Sequence, residues 1–316
     1  MTAHRTTLGR GFVVAGLGAL LASAATTPTA AAEATIEATY AATLAGFPIG
    51  SGTLNFGIGD DGAYRAAIDA RVAGLATVVA NRTATATATG RTAADGISSR
   101  GYSLAIDGGP IPNHVEMDFS GGAVTQVAAT ELRYPGWDRR VPLKPEHKRG
   151  VVDPLAAFVI PLAPGKDAMN PANCNHTAKV FDGRVRYDLR MIYGSRMEVQ
   201  GKEGYAGPAL VCAVNYKPIA GYRPLSPEEE KFERNLEFSI WFVPVSGADV
   251  MIPYKVVVGT PVGLLQVYAH RFDVKGARTA EAKVAAEPAT TGSLRKKRRA
   301  AAEPTAEAAP EAAPVQ

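Results

Sequence analysis

Two cysteines, Cys174 and Cys212, carry the clearest chemistry in this sequence of 316 residues. They are its only thiols, and the leader described below predicts export to an oxidising compartment, where we expect a disulfide between them. In the chain-entropy model, closing a loop of this length stabilises the fold by roughly 4 kcal/mol. Two other roles stay open: Cys174 as a nucleophile, and Cys174 with His176 as metal ligands, although neither matches a recognised zinc motif.

Other residue types with catalytic potential form no recognisable constellation. The five histidines are far apart in the sequence, and no His-Glu-x-x-His pair occurs. Ser51 and Ser195 follow or precede glycines, but neither has the Gly-x-Ser-x-Gly frame of a hydrolase nucleophile. We therefore predict no catalytic residue, metal or cofactor. A hydrolase whose site is assembled from distant residues is the alternative.

Residues 1–32 resemble a secretory signal, with a basic start and an apolar stretch at 12–25. Signal peptidase requires small side chains before the cut, which predicts cleavage after Ala32, with Ala24 as the second choice. An uncleaved membrane anchor is the alternative, although the apolar stretch is shorter than the roughly 20 residues of a typical span. The expected compartment is the periplasm.

Residues 275–316 are rich in Ala, Pro, Glu, Lys and Arg, and they contain no aromatic residue. Such a composition buries too little apolar surface to offset the entropy of ordering, so we predict a disordered tail. A basic run within it is a candidate contact for an anionic envelope component. The alternative is a solvated tail without a partner. The run consists of Arg295, Lys296, Lys297, Arg298 and Arg299.

The formal net charge of +4 and the pI near 9.0 suggest at first a nucleic-acid partner. Two arginines belong to the leader, however, and the tail has eight basic and five acidic residues. Residues 33–274, which we predict to form a single domain, therefore contain 24 basic and 25 acidic residues. The nearly neutral balance argues against nucleic-acid binding by the folded domain.

The elements that position these residues are predicted to be β-strands. Residues 184–191 alternate charged and apolar side chains, which puts Val185, Tyr187, Leu189 and Met191 on one face and the charges on the other. Residues 114–119 repeat this pattern before a Ser-Gly-Gly turn and a second apolar run, which predicts a hairpin. Similar patterns predict strands at 40–44, 52–58, 83–89, 236–243, 254–258 and 264–268.

Helical signals are few. Asp153 and Pro154 can begin a short helix, with Asp153 as the N-cap. Ser226 and Glu229 form a capping box that begins a second one. Residues 75–80 are ambiguous between a helix and a strand link. The sequence thus predicts a mainly β fold: a curved antiparallel sheet or half-open barrel with one or two short helices.

Several segments resemble the exported bacterial family called domain of unknown function 3108, over residues 34–272. The most specific are Phe-Asp-Gly-Arg at 181–184 and Lys-Pro-Ile-Ala-Gly-Tyr at 217–222. The resemblance implies an envelope compartment and an architecture similar to that of half-barrel lipoprotein carriers closed by a helix. It implies no catalytic residue.

The leading functional hypothesis is a non-enzymatic periplasmic protein whose concave sheet binds a lipid or other amphipathic ligand, or a partner segment. A structural or assembly factor that contacts anionic envelope polymer through its basic tail is the alternative. An outer-membrane barrel is disfavoured because the strands are short and carry many charges on their outward positions. The sequence does not indicate an oligomeric state.

Overall fold

The computed structural model describes residues 33–72, 82–109, 111–132, 137–201, 203–229 and 236–275. The predicted leader, the ambiguous segment 75–80 and the tail with its basic run lie outside the described residues. Among the described residues, no helix is long and apolar enough to cross a membrane.

Fifteen strands form one sheet within the described part of the chain. In chain order they are β1 (Glu33–Leu44), β2 (Phe47–Gly59), β3 (Ala63–Val72), β4 (Thr83–Ala93), β5 (Gly96–Asp107), β6 (Asn113–Ser120), β7 (Ala123–Ala129), β8 (Ile160–Pro161), β9 (Thr177–Phe181), β10 (Arg186–Gln200), β11 (Glu203–Gly204), β12 (Ala206–Ala220), β13 (Phe238–Pro244), β14 (Val250–Thr260) and β15 (Gly263–Lys275).

The strand order is β7-β6-β5-β4-β3-β2-β1-β15-β14-β13-β12-β10-β9, with β8 paired to β14 and β11 to β15. Every pairing between named strands is antiparallel except the two-residue contact of β11 with β15. The predicted fold class is therefore confirmed. Because β1 lies beside β15, the two ends of the described chain meet in the middle of the sheet.

Period-two patterning determines which strand faces become buried. In β6, Val115, Met117 and Phe119 are buried and the residues between them are exposed or half-buried. This strand pairs with β7 around Gly121 and Gly122, as the predicted hairpin requires. The apolar faces of both halves of the sheet supply its cores.

The predicted alternation of buried and exposed side chains fails at one charged residue of β10. Arg186 is buried, although the pattern places it on the solvent face. A register shift between Arg186 and Tyr187 breaks the alternation there. The Arg186 guanidinium lies 2.7 Å from an Asp188 carboxylate oxygen and donates to the Tyr187 carbonyl. A β-bulge, which the pattern does not reveal, thus buries this arginine and supplies its partners.

The segment at 153–159 enters the interior of the curved sheet, and we call it the plug. Asp153 accepts hydrogen bonds from the amides of Leu155 and Ala156, at 2.8 and 2.9 Å, as predicted for a cap. The turn that follows is only a 3-10 helix, Ala156–Phe158, because the chain then enters β8. Its two alanines are fully buried.

The second predicted helix start is also present. The Ser226 amide donates to the Glu229 carboxylate at 2.7 Å, and the Glu229 amide donates to the Ser226 hydroxyl at 3.3 Å. Residues 227–229 are helical.

The two edges of the sheet do not pair with each other, but a short segment bridges them. The amides of Gly150 and Val151 donate to the Gly122 carbonyl in the β6–β7 turn. The next residue, Val152, forms a parallel bridge to Val180 in β9. The sheet therefore curves until its edges are separated by one extended segment, which we call the seam. This is the geometry of a half-open barrel.

Both family-specific sequence motifs lie at this seam. Gly183, in the turn between β9 and β10, has a φ of +95°, and a Cβ there would lie 2.5 Å from a Val115 methyl on β6. Arg184 donates to the Asn113 side chain at 2.8 Å and to the Thr130 carbonyl at 2.9 Å. From the other motif, Gly221 packs against the Arg184 backbone. These motifs hold the curved sheet together.

Candidate functional site

A mainly apolar cavity of about 580 Å³ lies at one end of the curved sheet. Side chains and backbone from β1 to β5, β14, β15 and the plug line it. Its lining includes Leu54, Phe56 and Ile68 from β2 and β3, with Ile252 and Val256 from β14. The volume lies within the range of about 300–1,000 Å³ that is typical of small-molecule sites.

Small residues leave this space open. The inward-facing residues of β3 and β4 become less buried toward the cavity. Tyr64 and Ala88 are buried, whereas Ala70 and Ala84, which line the cavity, are half-buried. A Cβ at Gly52 would lie only 3.3 Å from the Ala70 Cβ, so glycine and alanine face one another across β2 and β3. The side chains therefore fill the barrel at one end and fail to meet at the other.

The plug forms one wall of the cavity. Leu155, Phe158 and Val159 line it, and the carboxylate of Asp153 holds the start of this turn. On the facing side, the Tyr40 hydroxyl donates to the Pro253 carbonyl at 2.6 Å. Burial raises the pKa of Tyr40 well above its ordinary value. Tyr40 therefore contributes a satisfied, neutral phenol to a mainly apolar wall.

The mouth of the cavity lies where several strands turn. Phe47, which follows the β1–β2 turn, is 69% exposed, and Val262 in the β14–β15 turn is 68% exposed. These turns are neighbours, since the Ala45 amide donates to the Leu264 carbonyl at 2.9 Å. Arg71 and Arg82, at the end of β3 and just before β4, line the cavity, whereas Phe47 and Val262 do not. The lining at this end therefore includes two positive charges.

A buried polar cluster lies beside the plug. The Ser99 hydroxyl on β5 donates to an Asp153 carboxylate oxygen at 2.5 Å and accepts from the Asp153 amide at 2.8 Å. Burial raises the pKa of Asp153. Burial and the neighbouring Asp153 charge also raise the pKa values of Tyr64 and Tyr102. The satisfied hydrogen bonds give Ser99 and Asp153 a structural role, which is to fasten the plug to β5.

Cys174 and Cys212 are joined by a disulfide, with their Cα atoms 5.5 Å apart. Both are fully buried, and they connect the 3-10 turn Pro171–Cys174 to β12. His176 lies two residues away, half-buried, and burial lowers its pKa. While this bond is formed, Cys174 has no free thiol that could act as a nucleophile or a metal ligand.

The sequence-based reasoning predicted a concave binding face but did not identify the residues that line the cavity. Among the described residues, no group of histidine, cysteine and acidic side chains could hold a metal ion, and no histidine lines the cavity. The alternating Thr-Ala run of β4 and the glycines of β2 were the available signals, because they put very small side chains on the inward face. Basic residues 295–299 and Ala32 lie outside the described residues, so their predicted roles stay predictions.

Comparison with solved structures identifies a protein of similar fold. A crystal structure of a beta-barrel-like protein, domain of unknown function DUF1849 from Brucella abortus, is similar with a TM-score of 0.42 and 12% sequence identity. The similarity covers 76% of this chain and 97% of that chain. A search of curated proteins found no match.

The fold and the cavity define a class: an open, barrel-like antiparallel sheet with an apolar hollow at one end. The model of a family described as protein of unknown function, DUF3108, matches residues 38–269. The chain therefore belongs to the DUF3108 family, as the two motifs of the seam suggest.

Proposed function

We propose that this protein is a non-enzymatic component of the periplasm that binds an apolar or amphipathic small molecule in the cavity. The observation that carries the proposal is the 580 Å³ space lined by apolar side chains at the open end of the barrel. Burial of apolar ligand surface there is favourable by about 25 cal/mol per Å². The free cavity exposes that lining to water, so a ligand with a hydrocarbon chain gains most.

A binding role is favoured over catalysis by the composition of the lining. Ser51, Thr53 and Thr83 line the cavity, but no histidine or acidic side chain does so among the described residues. A hydroxyl without a neighbouring base is a weak nucleophile. Ser99 and Asp153 do contact each other, but both are buried where the plug begins, and neither lines the cavity.

The periplasmic location rests on the predicted leader and is compatible with the disulfide between Cys174 and Cys212. Fractionation of the cells that express the full chain tests it. Recovery in the periplasmic fraction with the leader removed is expected, and recovery in the cytoplasm with the leader intact would contradict it.

The cavity is tested by filling it. Ala84→Phe puts a large side chain on an inward, half-buried position of β4 that lines the cavity. We expect the full chain to bind 1-dodecanol in native mass spectrometry and in a fluorescence displacement titration. The variant should lose at least about tenfold in affinity, because its ring occupies the space of the hydrocarbon chain.

Thr85→Phe is the matched control, since Thr85 is the next residue on the same strand and is exposed on the outer face. It should bind 1-dodecanol as the unaltered protein does. Circular dichroism and thermal unfolding show whether both variants fold. Equal binding by folded Ala84→Phe protein, or no binding of either 1-dodecanol or laurate by the unaltered protein, would overturn the proposed function.

A further inference from the structure

The charges in the lining of the cavity are both positive. Among the described residues that line it, only Arg71 and Arg82 carry a charge, and both are exposed. Neither makes an ion pair with another described residue. An acidic side chain, Asp107, ends β5 at the same end of the barrel but does not line the cavity. The described lining therefore combines apolar walls with two arginines, and Asp107, which pairs with Thr83 across β4 and β5, lies outside it.

Arg82 is the better placed of the two arginines. It precedes Ala84 by two residues, and its carbonyl extends the β3–β4 ladder by accepting from the Val72 amide at 2.9 Å. The alternation of β4 thus puts Arg82 on the same face as the inward alanines. Its guanidinium lies beside Gly109, where a Cβ would be 3.7 Å away.

Arg71 lies on the opposite alternation of β3, because Ala70 and Val72 face inward. It adds positive charge near the rim, while Arg82 can face both the water and the cavity. An arginine in that position donates charge-assisted hydrogen bonds to an oxyanion in a planar, forked geometry. A charged group deeper in the cavity would find no such partner and would be costly to bury.

We propose that the ligand is a long-chain anionic amphiphile, with its hydrocarbon chain in the cavity and its carboxylate or phosphate at the mouth against Arg82. This proposal rests on the proposed function, since it specifies the ligand class of the same cavity. The shared chemistry of the headgroup is an oxyanion at the end of an alkyl or acyl chain. Apolar burial supplies the affinity and Arg82 supplies the selection for charge.

The test compares three ligands that share one hydrocarbon chain: laurate, dodecyl phosphate and 1-dodecanol. We expect the full chain to bind at least one of the two anions about fivefold or more tightly than the alcohol, from one charge-assisted hydrogen-bonded pair. Arg82→Ala should remove this preference, so that the two anions bind no more tightly than 1-dodecanol. Arg82→Lys should retain part of it, because the charge remains without the fork.

Arg65→Ala is the matched control, since Arg65 is exposed on the outer face of the same sheet and does not line the cavity. It should change none of the three affinities. Comparison of laurate with dodecyl phosphate then distinguishes a fatty-acid source from a phosphorylated one.

Two outcomes separate this proposal from the proposed function. If all three ligands bind with equal affinity and Arg82→Ala changes none of them, the anionic headgroup is wrong while the apolar cavity remains supported. If the unaltered protein binds none of the three ligands, the cavity is not a binding site and both proposals are overturned. The same holds if Ala84→Phe binds all of them as tightly as the unaltered protein does.

Discussion

At the scale of single residues, Asp153 shows how one carboxylate organises the interior. It caps the plug through the amides of Leu155 and Ala156 and joins the plug to β5 through Ser99. The plug in turn supplies one wall of the cavity. The carboxylate is fully buried, which raises its pKa, and the hydrogen bonds that it accepts from these donors offset part of that effect.

The burial of Asp153 predicts a pH dependence of stability. Burial raises its pKa above the ordinary value of 3.8, so the folded state binds more protons than the unfolded state from that pH up to the raised pKa. The contribution of Asp153 to the free energy of unfolding should therefore fall as the pH rises through this window. Asp153→Asn should reduce that fall, as measured by urea denaturation at intervals between pH 4 and pH 7.

Asp182 is half-buried, and burial also raises its pKa, so part of the pH dependence should persist in Asp153→Asn. Asp95→Asn is the control, because Asp95 is exposed in the β4–β5 turn. A pH profile of Asp153→Asn that matches that of the unaltered protein would show that the Asp153 carboxyl does not titrate differently on folding.

At the scale of elements, the turn between β9 and β10 explains the specificity of the Phe-Asp-Gly-Arg motif. Asp182 accepts from the amides of Arg184 and Val185, at 2.8 and 2.7 Å, which forms the turn. Arg184 then reaches across the seam to β6 and the end of β7. The motif is therefore explained by barrel closure without any catalytic role.

Gly183→Ala is predicted to destabilise the fold by about 2–3 kcal/mol. The added methyl would meet Val115 at 2.5 Å, and the φ of +95° is unfavourable for alanine. Gly165→Ala separates the two causes, since Gly165 has a φ of +72° but nothing within 4 Å of its Cβ position. Urea denaturation should show a cost of only about 1 kcal/mol there.

Equal losses in Gly183→Ala and Gly165→Ala would mean that the contact across the seam does not constrain the barrel. In that case only the backbone conformation would matter at Gly183. A larger loss in Gly183→Ala locates the excess at the contact with β6.

At the scale of the whole molecule, the disulfide joins Cys174 and Cys212 across a sequence separation of 38. The intervening chain contains all of β9, β10 and β11, so the bond restricts a large part of the unfolded chain. The paired replacement Cys174→Ala with Cys212→Ala should lower the free energy of unfolding by up to about 4 kcal/mol.

Denaturation of the full chain with and without reductant measures this effect. The reduced protein should unfold at the denaturant concentration of the double variant, and reductant should have no effect on the variant itself. Unfolding of the oxidised protein at the same midpoint as the variant would contradict a stabilising role for the bond.

Much of the architecture follows from local sequence patterns. The strict alternation in β6, the Gly-Gly turn after it and the cap at Asp153 each act over a few residues, and each prediction is confirmed. The pairing of Cys174 with Cys212 could be predicted because the sequence contains no other cysteine. These features depend on dihedral preferences, hydrogen-bond donors and periodicity, which a linear sequence displays directly.

The cavity, the burial of Arg186 and the seam depend on how strands far apart in the sequence approach each other. Alternation assigns a side chain to a face, but the curvature of the sheet decides which inward faces meet. Ala70 and Ala84 line the hollow together with residues of the plug and β14, and their side chains are too small to fill it. The sequence by itself determined a β-rich chain with one disulfide. Only the tertiary structure decided where that chain is hollow, because a cavity is a property of packing between distant segments.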